Sequence, residues 1–163
     1  MRKGYSLVEI IVTIAVLAIL LAAFFPSFIS ALQSSRTKGA AQTLLADIQL
    51  AKTEASRRQS FVFISFSETA WCYGINAGSA CDCESNPASC NIGSAAASDF
   101  PGTVLTENFP NDTLIFNPVR STSTAGTATF SSGSGRSYSV RISALGRARI
   151  CQPDAPSGSL LAC

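Results

Sequence analysis

From Ile10 to Ser35 the chain carries no charge, and a single carboxylate, Glu9, stands at the head of that run. About 20 apolar residues are enough to cross a bilayer core as a helix. Such a run has few fates: a membrane helix, a helix buried among others, or a secretory signal. Two details narrow the choice. Arg2 and Lys3 make a short basic leader that stops at Gly4. Glu9 then sits where a charge is costly unless it finds a partner. A plain anchor or a signal peptide has no use for that charge. The apolar core of a signal peptide also spans only about 7–15 residues. The positive leader is expected to stay inside while the rest is exported.

The helical pattern continues beyond the apolar run. Pro26 is expected to kink the helix rather than end it. Past it, Ile29, Leu32, Ala40, Leu44, Ile48, Ala51 and Ala55 recur at helical spacing and form one stripe. Arg36, Lys38, Gln42, Asp47, Gln49 and Lys52 lie mostly off that stripe. The pattern fades at Arg57–Arg58–Gln59, where two cations suit the negative end of a helix dipole. The spacing therefore predicts one helix over 6–58, about 80 Å long at about 1.5 Å per residue. Residues 5–29 are apolar all round and suit lipid or other copies of the chain. Residues 30–59 are apolar on one side and suit a globular domain.

At Ser60 the composition changes, and 60–163 reads as β-rich. Phe61–Phe66 and Ala70–Ile75 are predicted strands, followed by Thr103–Thr106, Thr113–Asn117, Thr127–Ser131, Tyr138–Ser143 and Arg147–Cys151. Pro118, Gly126, Gly133–Gly135 and Gly146 separate the later ones. Residues 76–99 are rich in Gly, Ala, Ser, Asn and Cys, with Ile92 the main large apolar side chain, and read as a long loop. The expected fold is α+β: a long N-terminal helix packed on antiparallel sheet of about seven short strands.

Charge and cysteine bound the chemistry. The 163 residues include no histidine, which removes Ser–His–Asp and Cys–His catalysis and most zinc sites. Residues 60–112 hold Glu68, Asp82, Glu84, Asp99, Glu107 and Asp112 and no base; residues 113–153 hold Arg120, Arg136, Arg141, Arg147 and Arg149 and no acid. An all-arginine block matches phosphate geometry, or it pairs with the acidic block inside one fold; charge alone leaves both open. Six cysteines in an exported domain favour disulfides. Cys151–Cys163 closes a loop over 151–163. Of the remaining pairings, Cys81–Cys83 is discarded for its one-residue separation, and Cys72–Cys81 with Cys83–Cys90 is preferred. A zinc site from Cys72, Cys81, Cys83 and Cys90 is the alternative, but the spacing lacks a paired C-x-x-C, so no metal or cofactor is expected.

Gly4–Tyr5, Glu9, the apolar helix and Pro26 resemble the N-terminus of a type IV prepilin. The resemblance implies that a prepilin peptidase removes the leader 1–4 after Gly4 and methylates Tyr5. It implies insertion as a single-pass inner-membrane protein and then extraction into a filament beside other pilins, where Glu9 pairs with the N-terminal ammonium of a neighbouring copy. Tyr5 stands where most members have Phe.

A second resemblance covers most of the remainder. Leu45–Ile48–Ala51–Lys52–Glu54–Ala55–Arg58 before a strand, Trp71, Leu114–Ile115–Phe116–Asn117 and the final Gly146–Arg147–Ala148–Arg149 resemble the FimT/GspH group of minor pilins and pseudopilins. Gly-Arg-x-Arg is similar to the DNA-contacting motif of its competence-associated branch. In a strand, Arg147 and Arg149 share a face about 7 Å apart, a spacing that suits neighbouring phosphates. Arg141 and Arg136 extend the expected surface, and Gly146 permits close backbone approach. The partner implied is double-stranded DNA, held by its phosphates without regard to sequence. The resemblance implies no enzyme and no small-molecule substrate. The alternative is a structural minor pilin or type II secretion pseudopilin that primes or caps a filament without binding DNA.

Overall fold

The computed structural model describes residues 6–133, 135–155 and 162–163, with residues 23–27 by backbone alone. Helix α1, Leu7–Arg58, runs through Pro26 without ending there. The chain divides into two units, Met1–Leu32 and Gln33–Cys163, and α1 contributes to both. In the first unit every described side chain is exposed, including Leu7, Val8, Ile11, Ile14, Leu17 and Ile19. That is the signature of an apolar helix whose partners lie outside its own unit. Ile29 and Leu32, predicted on the core stripe, belong to this exposed set. Among the described residues no helix is long and apolar enough to cross a membrane. The leader 1–4 and Tyr5 lie outside the described residues, and Glu9 stands in the first turn of α1.

In the second unit α1 buries a narrow stripe: Thr37, Ala40, Ala41, Leu44, Ile48, Ala51 and Ala55. Four of these are alanines, so the helix axis can approach a sheet closely without a layer of long side chains between. The buried Thr37 hydroxyl is satisfied within the helix by the Gln33 carbonyl at 2.9 Å. The helix ends as expected. Gln59 takes a left-handed φ of 52°, and the Ser60 amide donates back to the Ala55 carbonyl at 3.3 Å. This six-to-one bond is the usual way a helix satisfies a terminal carbonyl. Glu54 accepts from both Arg57 and Arg58 at 2.7 and 2.6 Å. Those two bonds hold its carboxyl down to about 2.

Among the described residues eight strands follow, one more than predicted, in two antiparallel sheets. β1 (Val62–Ser67), β2 (Cys72–Ala77), β3 (Gly93–Ala96) and β5 (Thr113–Phe116) form the first, in the order β3-β2-β1-β5. β4 (Thr103–Glu107), β6 (Gly126–Ser132), β7 (Ser137–Ile142) and β8 (Ala148–Cys151) form the second, in the order β4-β6-β7-β8. β3 lies inside the segment 76–99 expected to be loop. Its Gly-Ser-Ala-Ala sequence has no β-branched or aromatic residue; pairing with β2 makes it a strand.

The helix stripe and the inner faces of both sheets share one core. Val62, Ile64, Tyr73, Ile75, Leu114 and Phe116 come from the first sheet, and Leu105, Phe130, Val140 and Ile142 from the second. Trp71 lies between Phe100 and Phe130, with ring centroids 6.0 and 5.9 Å away. The Tyr73 hydroxyl donates to Asp47 Oδ2 at 2.7 Å and ties β2 to α1. Burial, then that hydrogen bond, pushes the phenol above its ordinary value. Burial also raises the Asp47 carboxyl, with the bond from Tyr73 opposing it.

Cys151–Cys163 forms as expected, but the pairing of the other four cysteines differs from the expectation. Cys72 bonds Cys83 and Cys81 bonds Cys90, with Cα separations of 6.0 and 5.3 Å; Cys151 bonds Cys163. Neither Cys72–Cys81 nor Cys83–Cys90 forms. The path of the loop explains why. It returns along the outer face of the first sheet, where the Cys81 amide donates to Ser65 Oγ at 3.2 Å. Ser65 is the register partner of Gly74, and both Cys81 and Cys90 sulfurs crowd the position a Gly74 Cβ would take. The chain thus runs back along β2, so that Cys83, two residues on from Cys81, reaches Cys72, two residues back from Gly74.

This seat makes Gly74 indispensable. A methyl there would lie 2.1 Å from Cys90 Sγ and 2.9 Å from Cys81 Sγ. Gly74→Ala is expected to lower stability by about 1–3 kcal/mol, the usual range for overpacking, or to leave Cys81 and Cys90 reduced. Denaturant titration together with a free-thiol assay checks this; wild-type stability with all thiols oxidised would refute it. A second expectation concerns pH. Because the folded Tyr73 pKa lies above the unfolded value of about 10, its stabilising contribution is complete below pH ~10 and is lost as pH rises further. Thermal midpoints should therefore fall above pH ~10 more steeply in wild type than in Tyr73→Phe. Parallel curves would show that Tyr73 does not carry the effect.

Candidate nucleic-acid interface

β7 and β8 are joined by a tight turn, Ser143 to Arg147. The Gly146 amide donates to the Ser143 carbonyl at 2.8 Å, and the Ser143 amide donates to the Arg147 carbonyl at 3.0 Å. Gly146 takes a φ of +68°, which suits glycine at the last position of a three-residue hairpin loop. The turn sets the register, and the register places the charges. Arg141 lies directly opposite Arg149, with Thr127 of β6 on the other side of Arg141. Alternation along β7 sends Val140 and Ile142 into the core and leaves Arg141 exposed.

Beside this row runs a groove of about 770 Å³, lined among others by Asn108, Thr127, Arg141, Leu145, Arg147 and Arg149. Among the described residues no carboxylate lines it. Asn108 extends the row: its amide donates to the Thr127 carbonyl at 3.2 Å, and its side-chain oxygen accepts from the Thr127 amide at 2.7 Å. Two arginines directly opposite on one face repel each other. Among the described residues the ion pairs are those of Glu54 with Arg57 and Arg58, so the groove arginines have no carboxylate partner. Their forks are exposed and free to take a phosphate bidentately.

The predicted residues divide here. Arg141, Arg147 and Arg149 come together, although β8 begins at Ala148, one residue later than expected. Arg136 does not join them: it is exposed in the turn between β6 and β7, at the opposite end of β7 from Arg141. Arg120 is exposed in the loop after β5 and does not line the groove. Gly146 has a different part from the one expected. It is buried, and the backbone that approaches it is that of Ser121 in the same chain, whose carbonyl oxygen would lie 2.5 Å from an added Cβ. The loop carrying Ser121 also binds the turn through Ser123, whose amide donates to the Ala144 carbonyl at 3.0 Å. Asn108 and Thr127 were not legible as site residues, because only the β4–β6–β7 register brings them beside Arg141.

The C-terminus borders the same face. Cys151 is the register partner of Ser139, and the Cys151–Cys163 bond holds Cys163 next to β8, two positions beyond Arg149. Asp154, the one acid of this segment among the described residues, accepts a short hydrogen bond from Ser137. Of the residues expected to serve assembly, only Glu9 is described, and it does not line the groove. Glu9 is exposed in α1, and Gly4 and Tyr5, the expected cleavage and methylation site, lie outside the described residues.

The sequence profile of the GspH family, described as type II transport protein GspH, matches residues 40–146. The prokaryotic N-terminal methylation motif matches residues 1–25. Among solved structures, the minor pseudopilin EpsH from the type 2 secretion system of Vibrio cholerae is similar at 12% identity and a TM-score of 0.57, covering 74% of this chain and 99% of that one. The type IV minor pilin FimU of Pseudomonas aeruginosa is similar at 19% identity and a TM-score of 0.52, covering 75% of this chain and 94% of that one. At such identities the likeness is one of fold. No curated protein sequence matches significantly.

The close approach at Gly146 yields a direct test of the turn. Gly146→Ala adds a Cβ at a φ of +68° and 2.5 Å from the Ser121 oxygen. A loss of about 1–3 kcal/mol is expected, read from chemical denaturation. An unchanged midpoint would show that the turn is not packed against the Ser121 loop.

Proposed function

The chain belongs to the GspH family, and from that membership we propose that it is assembled as a minor pilin that holds extracellular DNA by its phosphates during uptake. The precursor sits in the inner membrane with its leader inside. Prepilin peptidase cleaves after Gly4 and methylates Tyr5. In the filament, Glu9 pairs with the ammonium of a neighbouring pilin's N-terminus, which offsets the burial of both charges. Arg141, Arg147 and Arg149 grip the duplex, and filament retraction draws it in. The chain performs no chemistry of its own; it binds and assembles.

One observation carries the DNA reading: three exposed arginines, without a carboxylate partner among the described residues, meet on one groove wall. Phosphate recognition of this kind ignores base sequence and depends strongly on salt. Three contacts give a slope of about −2.7 in log K against log salt, or roughly a 40-fold loss between 50 and 200 mM.

The test is a mobility-shift titration of the full-length chain in non-ionic detergent with a random-sequence duplex. Wild type should bind at low salt with that slope, and Arg147→Gln/Arg149→Gln should bind at least about ten times more weakly with a slope nearer −1. No binding by wild type at low salt, or equal binding by the double variant, would favour a filament-priming subunit without a DNA role.

A further inference from the structure

The β7–β8 turn is held from behind by a residue that does not line the groove. Lys52, half-buried on α1 beside the buried Ala51, donates from Nζ to the Gly146 carbonyl at 3.3 Å. The same peptide unit is bound at its other end, where the Arg147 amide donates to Ser143 Oγ at 3.3 Å. With its carbonyl and its N–H both engaged, the Gly146–Arg147 peptide plane cannot rotate freely. That plane sets ψ of Gly146 and φ of Arg147, and so the direction in which Arg147 leaves the turn.

We propose, resting on the DNA reading above, that Lys52 is a positioning residue for the arginine groove: it clamps the Gly146–Arg147 peptide to α1 and aims Arg147 alongside Arg149 and Arg141. Three features support this over an incidental surface contact. The acceptor is a buried carbonyl, 94 positions away in sequence. The donor is a cation, and charge-assisted hydrogen bonds are roughly twice as strong as neutral ones. The Ser121 carbonyl oxygen and Lys52 Nζ both close on the point a Gly146 Cβ would occupy, at 2.5 and 3.6 Å, so two separate elements meet the turn there. Lys52 lies outside the groove lining, so it acts through the turn and not by touching a phosphate itself.

Salt dependence separates these roles, because a lost phosphate contact changes the slope by about 0.9, whereas an arginine that is no longer held in place but still reaches its phosphate in the complex lowers affinity without changing the slope. In full-length chain in non-ionic detergent, Lys52→Met should weaken binding to a random-sequence duplex by about 3- to 10-fold at fixed salt with an unchanged slope, on the scale of one lost intramolecular hydrogen bond. Lys52→Arg, which retains a charged donor, should recover at least half of that loss on a logarithmic scale. Hydrogen exchange at the Arg147 amide should be faster in Lys52→Met than in wild type. A slope reduced by about 0.9 would make Lys52 a phosphate ligand and overturn the proposal. Unchanged affinity with unchanged exchange would overturn it as well. Wild type that binds no DNA while Lys52→Met still accelerates exchange would sink the DNA reading yet leave the clamp standing.

Discussion

The globular unit depends on how closely one helix can approach two sheets. Ala40, Ala41, Ala51 and Ala55 leave room, and Leu44 and Ile48 fill the gap between the inner faces. A stripe of larger residues would hold the helix farther off and separate Asp47 from Tyr73, and Lys52 from Gly146. Both of those polar links need the short approach: the first at 2.7 Å, the second at 3.3 Å. The packing of small side chains thus decides where polar ones can meet, as expected for interiors packed to crystal-like density.

On this frame the two sheets use their outer faces differently. The first is covered by its own chain: the loop closed by Cys72–Cys83 and Cys81–Cys90 lies over Ser65 and Gly74. The second is left open on one row, Thr127–Arg141–Arg149, and stapled beside it by Cys151–Cys163. The covered face buries backbone that a small domain could not otherwise protect. The open row concentrates like charge that only a counter-ion or an anionic partner relieves.

Much of this was readable from residue order. The helical spacing from Ala40 to Ala55 identified the buried stripe, while Ile29 and Leu32, on the same spacing, proved exposed. Seven of eight strands announced themselves by β-branched and aromatic residues. β3 did not, since Gly93–Ala96 has no such residue and owes its conformation to β2. Arg147 and Arg149 were recognisable by their spacing and the glycine before them. That Arg141 faces Arg149, and that Arg136 stands at the far end of β7, depends on register, which no local pattern encodes.

The amino-acid sequence by itself determined the N-terminal methylation motif, the apolar and amphipathic halves of the helix, the α+β class and the basic character of the C-terminal strands. Each rests on neighbours within a few residues, where periodicity and side-chain chemistry act directly. Only the tertiary structure decided how Cys72, Cys81, Cys83 and Cys90 pair, which arginines share a groove, and that Lys52 holds the turn between them. Those outcomes join residues up to 94 positions apart. They follow from the path of the 76–99 loop and the pairing of β6, β7 and β8, so they come into being when the chain closes on its core.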